Sequence, residues 1–181
     1  MSGHAGKYAR SELERRFLVE HLPERIAQEQ GWRITDRYID NTRLRLRRMD
    51  PLAGGEAVFK LGQKQVPSPP DFSRMTITNI YLSPAEYDVF AVLPARELRK
   101  TRHSLDEDGR AYGVDVFAGD LAGLILAEIG FETDHQMNEQ WQLPPWVVRE
   151  VSDDPRFTGG ALASLTPDGA ALLLRQLSGK P

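Results

Sequence analysis

Strict alternation of charged and apolar residues, in segments of strand length, is the feature that most constrains this sequence. In residues 11–19, Glu12, Glu14 and Arg16 alternate with residues of which two are apolar; in residues 43–47, three arginines alternate with two leucines. Because successive side chains of a β-strand point to opposite faces, each segment predicts a strand with one charged face. Two interpretations of that face stay open here: a surface exposed to water, or a surface that holds a metal or an anion.

Most of the remaining chain also favours strands joined by turns. Asn41 and Thr42 predict a tight hairpin, and Ser83 followed by Pro84 and Glu86 predicts the start of a helix. The predicted strands cover residues 11–20, 32–40, 43–49, 56–64, 74–82, 97–105, 110–117 and 124–131, and the predicted helices cover residues 23–30, 84–93, 134–140 and 167–177. This series predicts an α+β fold that is mainly β, an eight-stranded antiparallel closed barrel with helices packed outside.

The charged faces of these strands would meet inside such a barrel. Five of the predicted strands carry one face rich in charge or threonine, and helices would cover the apolar outer faces. Burying an isolated charge is costly, so we expect an anion to neutralise the interior. The cations expected to point inward are Arg43, Arg45, Arg47, Lys60, Lys64, Arg74, Lys100 and Arg102.

Length and composition limit the classes of protein that fit. A chain of 181 residues predicts one domain, residues 11–181, with a C-terminal helix at about 167–177 and a disordered tail at residues 1–10. The chain has no cysteine, so any metal must be held by oxygen or imidazole ligands. The net charge of −3, and the lack of aromatic residues within the arginine-rich strand, argue against a nucleic-acid partner.

The sequence also bears on location and assembly. The first ten residues lack the apolar core of a signal peptide, and no run approaches the roughly 20 apolar residues of a membrane span. We therefore expect a cytoplasmic protein without a membrane partner. The sequence leaves the oligomeric state open, with a homodimer among the options.

The segment from Glu12 to Arg16 resembles the Glu-x-Glu-x-Lys signature of the CYTH domain, also called the triphosphate tunnel metalloenzyme family. The resemblance spans roughly residues 11–164 in the family's order. It implies an eight-stranded antiparallel tunnel and an activity on inorganic triphosphate, thiamine triphosphate or nucleoside triphosphates; a class of adenylyl cyclases shares the fold. The further matching segments are residues 44–47, 100–102, 114–117, 126–129 and 150–157.

The resemblance implies roles for individual residues. Glu12, Glu14 and Glu128 match acidic positions that hold a divalent metal, Mg²⁺ or Mn²⁺, and both ions prefer oxygen ligands. Asp115 matches an acidic position near the substrate, with a structural salt bridge as the alternative. The residues expected to bind phosphate are Arg45, Arg47, Lys100 and Arg102, which match family positions, and the additional cations Arg43, Lys60, Lys64 and Arg74.

The sequence departs from the family pattern at several positions. Arg16 replaces the signature lysine, and arginine stays protonated near neutral pH, so Arg16 can bind phosphate but cannot act as a general base. Many members carry an acidic pair on the strand that matches residues 74–82, where we find Thr76 and Thr78. Gly130 takes the place of a second acid on the late strand. Fewer carboxylates should weaken a second metal site most.

Three functions follow, in order of preference. The first is metal-dependent hydrolysis of a triphosphate, with inorganic triphosphate as the leading substrate. The second is a non-catalytic or weakly catalytic module that binds polyphosphate or a phosphorylated metabolite, which the departures at Arg16, Thr76, Thr78 and Gly130 favour. The third is an activity like that of adenylyl cyclases.

Overall fold

The computed structural model describes residues 9–67 and 70–179. Residues 1–8, which hold most of the predicted tail, lie outside the described residues, and Arg10 already begins the first strand. The strands are β1 Arg10–Val19, β2 Gly31–Ile39, β3 Leu44–Pro51, β4 Val58–Gln65, β5 Arg74–Leu82, β6 Ala95–Glu107, β7 Arg110–Phe117, β8 Ile125–Phe131 and β9 Val147–Glu150. The α-helices are α1 Pro84–Ala91, α2 Asp134–Asn138, α3 Gly159–Leu162 and α4 Pro167–Leu177.

Eight of these strands close into a barrel. Their order is β5-β4-β3-β2-β6-β7-β8-β1, and the start of β1 returns to pair with β5 through residues 10–13. Every neighbouring pair is antiparallel. The extra strand β9 attaches to the end of β1, beyond the stretch that pairs with β5. The predicted eight-stranded antiparallel closed barrel is therefore confirmed.

The alternation in the sequence becomes the two faces of the barrel wall. On β1, Glu12, Glu14 and Arg16 line an interior cavity, whereas Phe17 is fully buried on the opposite side of the wall. Phe17 belongs to an outer apolar cluster that β7, β8 and the segment around Trp141 complete. The cluster removes the outer face of this part of the sheet from water, which stabilises the closed barrel.

A second apolar cluster involves inward-facing residues near the last helices. Leu18, Leu98 and Leu126 continue the same faces of β1, β6 and β8 that carry charges further along. They pack with Phe157, just before α3, and Leu173 of α4. Side chains can fill the interior of an eight-stranded barrel, so this cluster closes off part of the interior and leaves the rest to the charged residues.

One predicted element is wrong. Residues 23–30 form two separate turns instead of a helix, with hydrogen bonds from Ile26 N to Pro23 O and from Gln30 N to Ala27 O. Ile26 is buried against the outer cluster, and that packing overrides the local helical pattern.

In the described part of the chain, none of the helices combines the length and apolar character needed to cross a membrane.

Replacing Phe17 with alanine should show how much the outer cluster contributes to stability. Because Phe17 is fully buried, Phe17→Ala should lower the free energy of unfolding by about 3–5 kcal/mol in urea titrations. Val89→Ala is the matched control, since Val89 lies on α1 and is 68% exposed; its effect should stay within about 0.5 kcal/mol. Equal effects of the two substitutions would contradict the assignment of Phe17 to the core.

Candidate anion and metal site inside the barrel

The barrel encloses a cavity of about 440 Å³ with a strongly charged wall. Nine of its lining residues are cationic and four are carboxylates, an excess of five positive charges when all are ionised. The whole chain, in contrast, has a net charge of −3. The charged lining residues are Arg16, Arg43, Arg45, Arg47, Lys60, Lys64, Arg96, Lys100 and Arg102, with Glu12, Glu14, Asp36 and Glu128.

Two buried aspartates neutralise part of this charge. Asp36 accepts two hydrogen bonds from Arg47, from Nε to Oδ1 at 2.6 Å and from Nη2 to Oδ2 at 2.7 Å. Asp115 accepts from Lys100 Nζ at 2.5 Å and from Arg102 Nε at 2.7 Å. Both aspartate side chains are at most 1% exposed. The protein thus supplies its own counterions for several cations that the sequence left to an external anion.

Glutamates on β1 and β8 hold further cations. Glu128 accepts a hydrogen bond from Arg16 Nε at 3.0 Å and a short one from Arg102. Burial alone would raise the pKa of Glu128, but Arg102, Lys100 and Arg16 outweigh burial and hold that pKa well below its ordinary value. Glu12 accepts a short hydrogen bond from Lys64.

Three buried atoms of cavity-lining side chains have no hydrogen-bond partner. Two are donors, Arg16 Nη1 and Arg45 Nε, and the third is an acceptor, Glu14 Oε2. Burial, followed by the nearby charge of Glu128, raises the pKa of Glu14. A buried polar group without a hydrogen bond costs about 1–3 kcal/mol of stability. A ligand that bonded to these three atoms would remove that cost. The donors suit an anion, and the acceptor suits a cation.

Comparison with known proteins relates this architecture to a family. The chain is 29% identical over 163 residues to an inorganic triphosphatase of Nitrosomonas europaea, an alignment that covers 87% of this chain and 99% of that protein. The fold matches the crystal structure of an inorganic triphosphatase with a TM-score of 0.59 and 26% identity, over 86% of this chain and 96% of the other. By sequence and by fold, the chain is thus similar over most of its length to inorganic triphosphatases of the triphosphate tunnel fold.

Other comparisons agree with this similarity. An inorganic triphosphatase of Acetivibrio thermocellus is 34% identical over 65 residues, which are 36% of this chain and 40% of that protein. A structure from Bacillus halodurans matches with a TM-score of 0.51 at 16% identity, over 72% of this chain and 85% of the other, a likeness of fold alone. No profile of a known protein family matches the chain. The resemblance first seen in the sequence motifs is thus confirmed.

A divalent metal, on which triphosphatases of the tunnel fold generally depend, finds donors of suitable chemistry in the cavity. Glu14 offers a buried carboxylate oxygen, Oε2, which has no hydrogen-bond partner and lies 3.6 Å from Arg16 Nη2. Salt bridges occupy Glu12 and Glu128, and within the described residues no three acidic or histidine side chains are grouped closely enough to hold a metal. Mg²⁺ usually takes one or two carboxylates and fills its shell with water or phosphate oxygens. Glu14 therefore fits as one ligand, and Glu12 or Glu128 would exchange a salt bridge to join it.

The cavity contains most of the site residues that the sequence predicted. The three glutamates, Arg16 and seven of the eight predicted phosphate ligands line it together. Arg74 does not, so its predicted place in the cavity is wrong. Arg74 contacts Asp71 at 2.9 Å and Asp134 at 2.7 Å on the outer side of β5. Asp115 does not line the cavity either; its described contacts are the buried salt bridges to Lys100 and Arg102.

The inward face of β5 also differs from the prediction. Met75 and Ile77, not Thr76 and Thr78, line the cavity, because Met75 lies opposite Glu12 and Ile77 lies opposite Lys64 in the sheet. Two of the inward positions of this strand are thus apolar, and a third, Asn79, is polar but uncharged. In the part of the chain that the structure describes, β5 therefore contributes no carboxylate to the cavity wall.

Several lining residues were missed in the sequence. Asp36 and Tyr38 alternate on β2 and lie directly opposite Arg47 and Arg45 of β3. The hairpin around Asn41 and Thr42 is a signal for Asp36, because pairing its two strands residue by residue puts Asp36 opposite Arg47, on the inward face. The other missed residues include Asn79, Arg96 and the segment 158–160. Residues 158–160 approach Tyr38, which is distant in sequence, so no local pattern indicates this contact. The approach is so close that a side chain at Gly159 would clash with the Tyr38 hydroxyl.

The ion pair of Asp36 predicts a specific acid dependence of stability. Burial raises its pKa, but Arg47 and Arg45 outweigh burial and lower the pKa of Asp36 from 3.8 to about 2. A carboxyl group whose pKa is lower in the folded than in the unfolded state stabilises the fold at pH values above its unfolded-state pKa. This contribution is lost as the pH falls through the folded-state pKa. The stability difference between the wild type and Asp36→Asn should therefore shrink by about 2 kcal/mol between roughly pH 4 and pH 2.

Urea titrations at each pH would measure this difference. Asp50→Asn is the control, because Asp50 pairs with the half-exposed Arg48 on the outside of β3, and such surface pairs contribute at most about 1 kcal/mol. A difference for Asp36→Asn that stays constant down to pH 2 would contradict the buried ion pair.

Proposed function

We propose that this protein hydrolyses inorganic triphosphate inside the barrel cavity, with the help of a divalent metal. The observation that carries the proposal is the excess of five positive charges on the cavity wall, in a chain that is related over nearly its whole length to an inorganic triphosphatase. A triphosphate is a compact anion with several negative charges, so it matches that excess. Its oxygens would also satisfy the unpartnered donors of Arg16 and Arg45.

The cavity cations would act by binding and by electrostatic stabilisation. Phosphoryl transfer needs little covalent chemistry from the protein, so catalysis depends on positioning and on charge that faces the transferred group. Arg45, Arg47, Lys60 and Lys64 lie on the adjacent strands β3 and β4, and would hold phosphate oxygens from one side. Lys100 and Arg102 of β6 would approach from another strand of the wall, and Arg43 lies just before β3.

The metal would be held by Glu14, with Glu12 or Glu128 and water. Triphosphatases of this family generally depend on a metal, and either Mg²⁺ or Mn²⁺ suits carboxylate ligands. When bound, the metal would neutralise phosphate charge and favour attack by water. Arg16 would bind phosphate through its free Nη1 and keep its own proton, because Glu128 and Glu14 outweigh burial and raise the pKa of the guanidinium.

A binding module for polyphosphate or a phosphorylated metabolite is the second candidate. Two observations favour it: Arg16, which replaces the signature lysine, is held by Glu128, and Met75 and Ile77 place apolar side chains on one wall of the cavity. Both reduce the means of activating water while leaving the cations in place. An activity like that of adenylyl cyclases is the third candidate and requires only a change of substrate to test.

Substitutions of Glu14 and Arg45 separate these candidates. With Mg²⁺ or Mn²⁺, the wild type should release phosphate from inorganic triphosphate, and chelator should stop it. Glu14→Gln should lower kcat at least a hundredfold, whereas Arg45→Gln should weaken triphosphate binding about ten- to a hundredfold, as expected for one charge-assisted hydrogen bond. Released phosphate and titration calorimetry are the measurements. Arg48→Gln is the matched control, since Arg48 follows Arg47 on β3 but pairs with Asp50 outside the cavity.

Each alternative result has a defined meaning. Tight binding that survives chelation, with no turnover of inorganic triphosphate, would replace the enzyme by the binding module. Formation of cyclic AMP from ATP in the same preparation would favour the cyclase. If triphosphate neither binds nor turns over, the proposed function is wrong.

A further inference from the structure

Asp36 places a negative charge inside a cavity that is otherwise suited to anions. Its side chain is 1% exposed and lines the cavity. A carboxylate at this place repels a polyanion that enters, so it lowers affinity unless it contributes in another way. The contacts of Asp36 show what that contribution is.

Asp36 fixes the orientation of Arg47 by hydrogen bonds and attracts Arg45 electrostatically. Asp36 and Arg47 are direct neighbours across β2 and β3, and the two parallel hydrogen bonds between them hold the guanidinium plane of Arg47. Arg45 Nε lies 3.6 Å from Asp36 Oδ1, within ion-pair distance but without a hydrogen bond. Arg45 is thus attracted to Asp36 and still has a donor to give.

Without Asp36, cations would face one another in the empty cavity. Arg45 and Arg47 are two residues apart on one face of β3, and Lys100 on β6 also acts on Asp36 electrostatically. Like charges inside the barrel repel, and long side chains would move apart before a substrate arrives. Asp36 therefore holds the two arginines in place in the free protein, which removes the need to reorganise them when a phosphate binds.

We propose that Asp36 is a positioning residue: its charge lowers the affinity for the substrate, but it holds Arg47 and Arg45 in the orientation needed for phosphoryl transfer. This inference rests on the proposed function, since it concerns the same cavity and the same triphosphate. It separates two effects that a direct phosphate ligand would combine. Loss of the Asp36 charge should leave binding intact or tighter, because a repulsive charge disappears, but turnover should fall because Arg47 is no longer held.

The test compares Asp36→Asn with the wild type in two measurements. Titration calorimetry with inorganic triphosphate and chelator gives the Kd, and phosphate release with Mg²⁺ or Mn²⁺ gives kcat. We expect kcat to fall about ten- to a hundredfold, as for a small misplacement of a catalytic group. The Kd should stay within twofold of the wild-type value or become smaller. Asp50→Asn, which removes the outer partner of Arg48 on the same strand, should change neither value.

A second variant covers the case in which Asp36→Asn does not fold. Arg47→Lys keeps Asp36 and the positive charge but cannot form two parallel hydrogen bonds, so it should also lower kcat more than it weakens binding. A double variant, Asp36→Asn with Arg47→Lys, should be no slower than the slower single variant, because the two residues act as one unit.

The outcomes distinguish this inference from the proposed function. If the wild type turns over triphosphate and a folded Asp36→Asn keeps its kcat within twofold, Asp36 is not a positioning residue although the function stands. A Kd that weakens as much as kcat falls would also overturn the inference, since Asp36 would then support binding as a whole. If the wild type shows no turnover, both proposals fail together.

Discussion

Ion pairs between directly opposite residues of neighbouring strands are the interaction on which the rest of this structure depends. Asp36 faces Arg47, and Asp115 faces Arg102, each pair in register across the sheet. Removing one partner of such a buried pair costs about 3–5 kcal/mol, because the other charge is left uncompensated. A slip of one residue would also turn the charges of a strand to the outside. The same pairs that make a charged interior tolerable therefore specify the register of the barrel.

The interior is divided between two kinds of side chain, and the division determines what the cavity can do. Leu18, Leu98 and Leu126 pack with the segment around α3 and α4, whereas the residues further along the same strands are charged. Internal carboxylates neutralise only part of the cavity cations, and buried donors of Arg16 and Arg45 stay free. A cavity with surplus positive charge and buried donors is the arrangement that binding and transfer of phosphoryl groups require.

Much of the fold could be predicted from the sequence, because alternation reports directly on the two faces of a strand. Glu12 and Glu14 were assigned to the correct face since Leu13 and Phe17 have to be buried elsewhere. On β5 the same reasoning chose the wrong face: Thr76 resembled a polar lining residue, while inward positions such as Met75 are apolar and buried within the barrel. Alternation shows that two faces differ, but only the pairing with β1 and β4 shows which one points inward.

Residues of the site whose role follows from their own charge and position in a strand could be predicted from the sequence. Residues whose role depends on a partner on another strand could not. Asp36 was missed because a lone acid on a strand has no special pattern, and its importance comes from the arginine opposite it. The expectation that an external anion must neutralise the interior was too strong for the same reason, since Asp36 and Asp115 are the internal counterions. Arg74 was placed inside by its charge, although Asp71 and Asp134 hold it outside.

The most direct measurement is a crystal structure of the protein with a non-hydrolysable triphosphate analogue and Mg²⁺. The proposed function places the phosphates in the cavity, with Arg16 Nη1 and Arg45 Nε donating to phosphate oxygens and Glu14 bound to the metal. Electron density for the analogue on the outer surface, with these three atoms still unpartnered in the cavity, would contradict it.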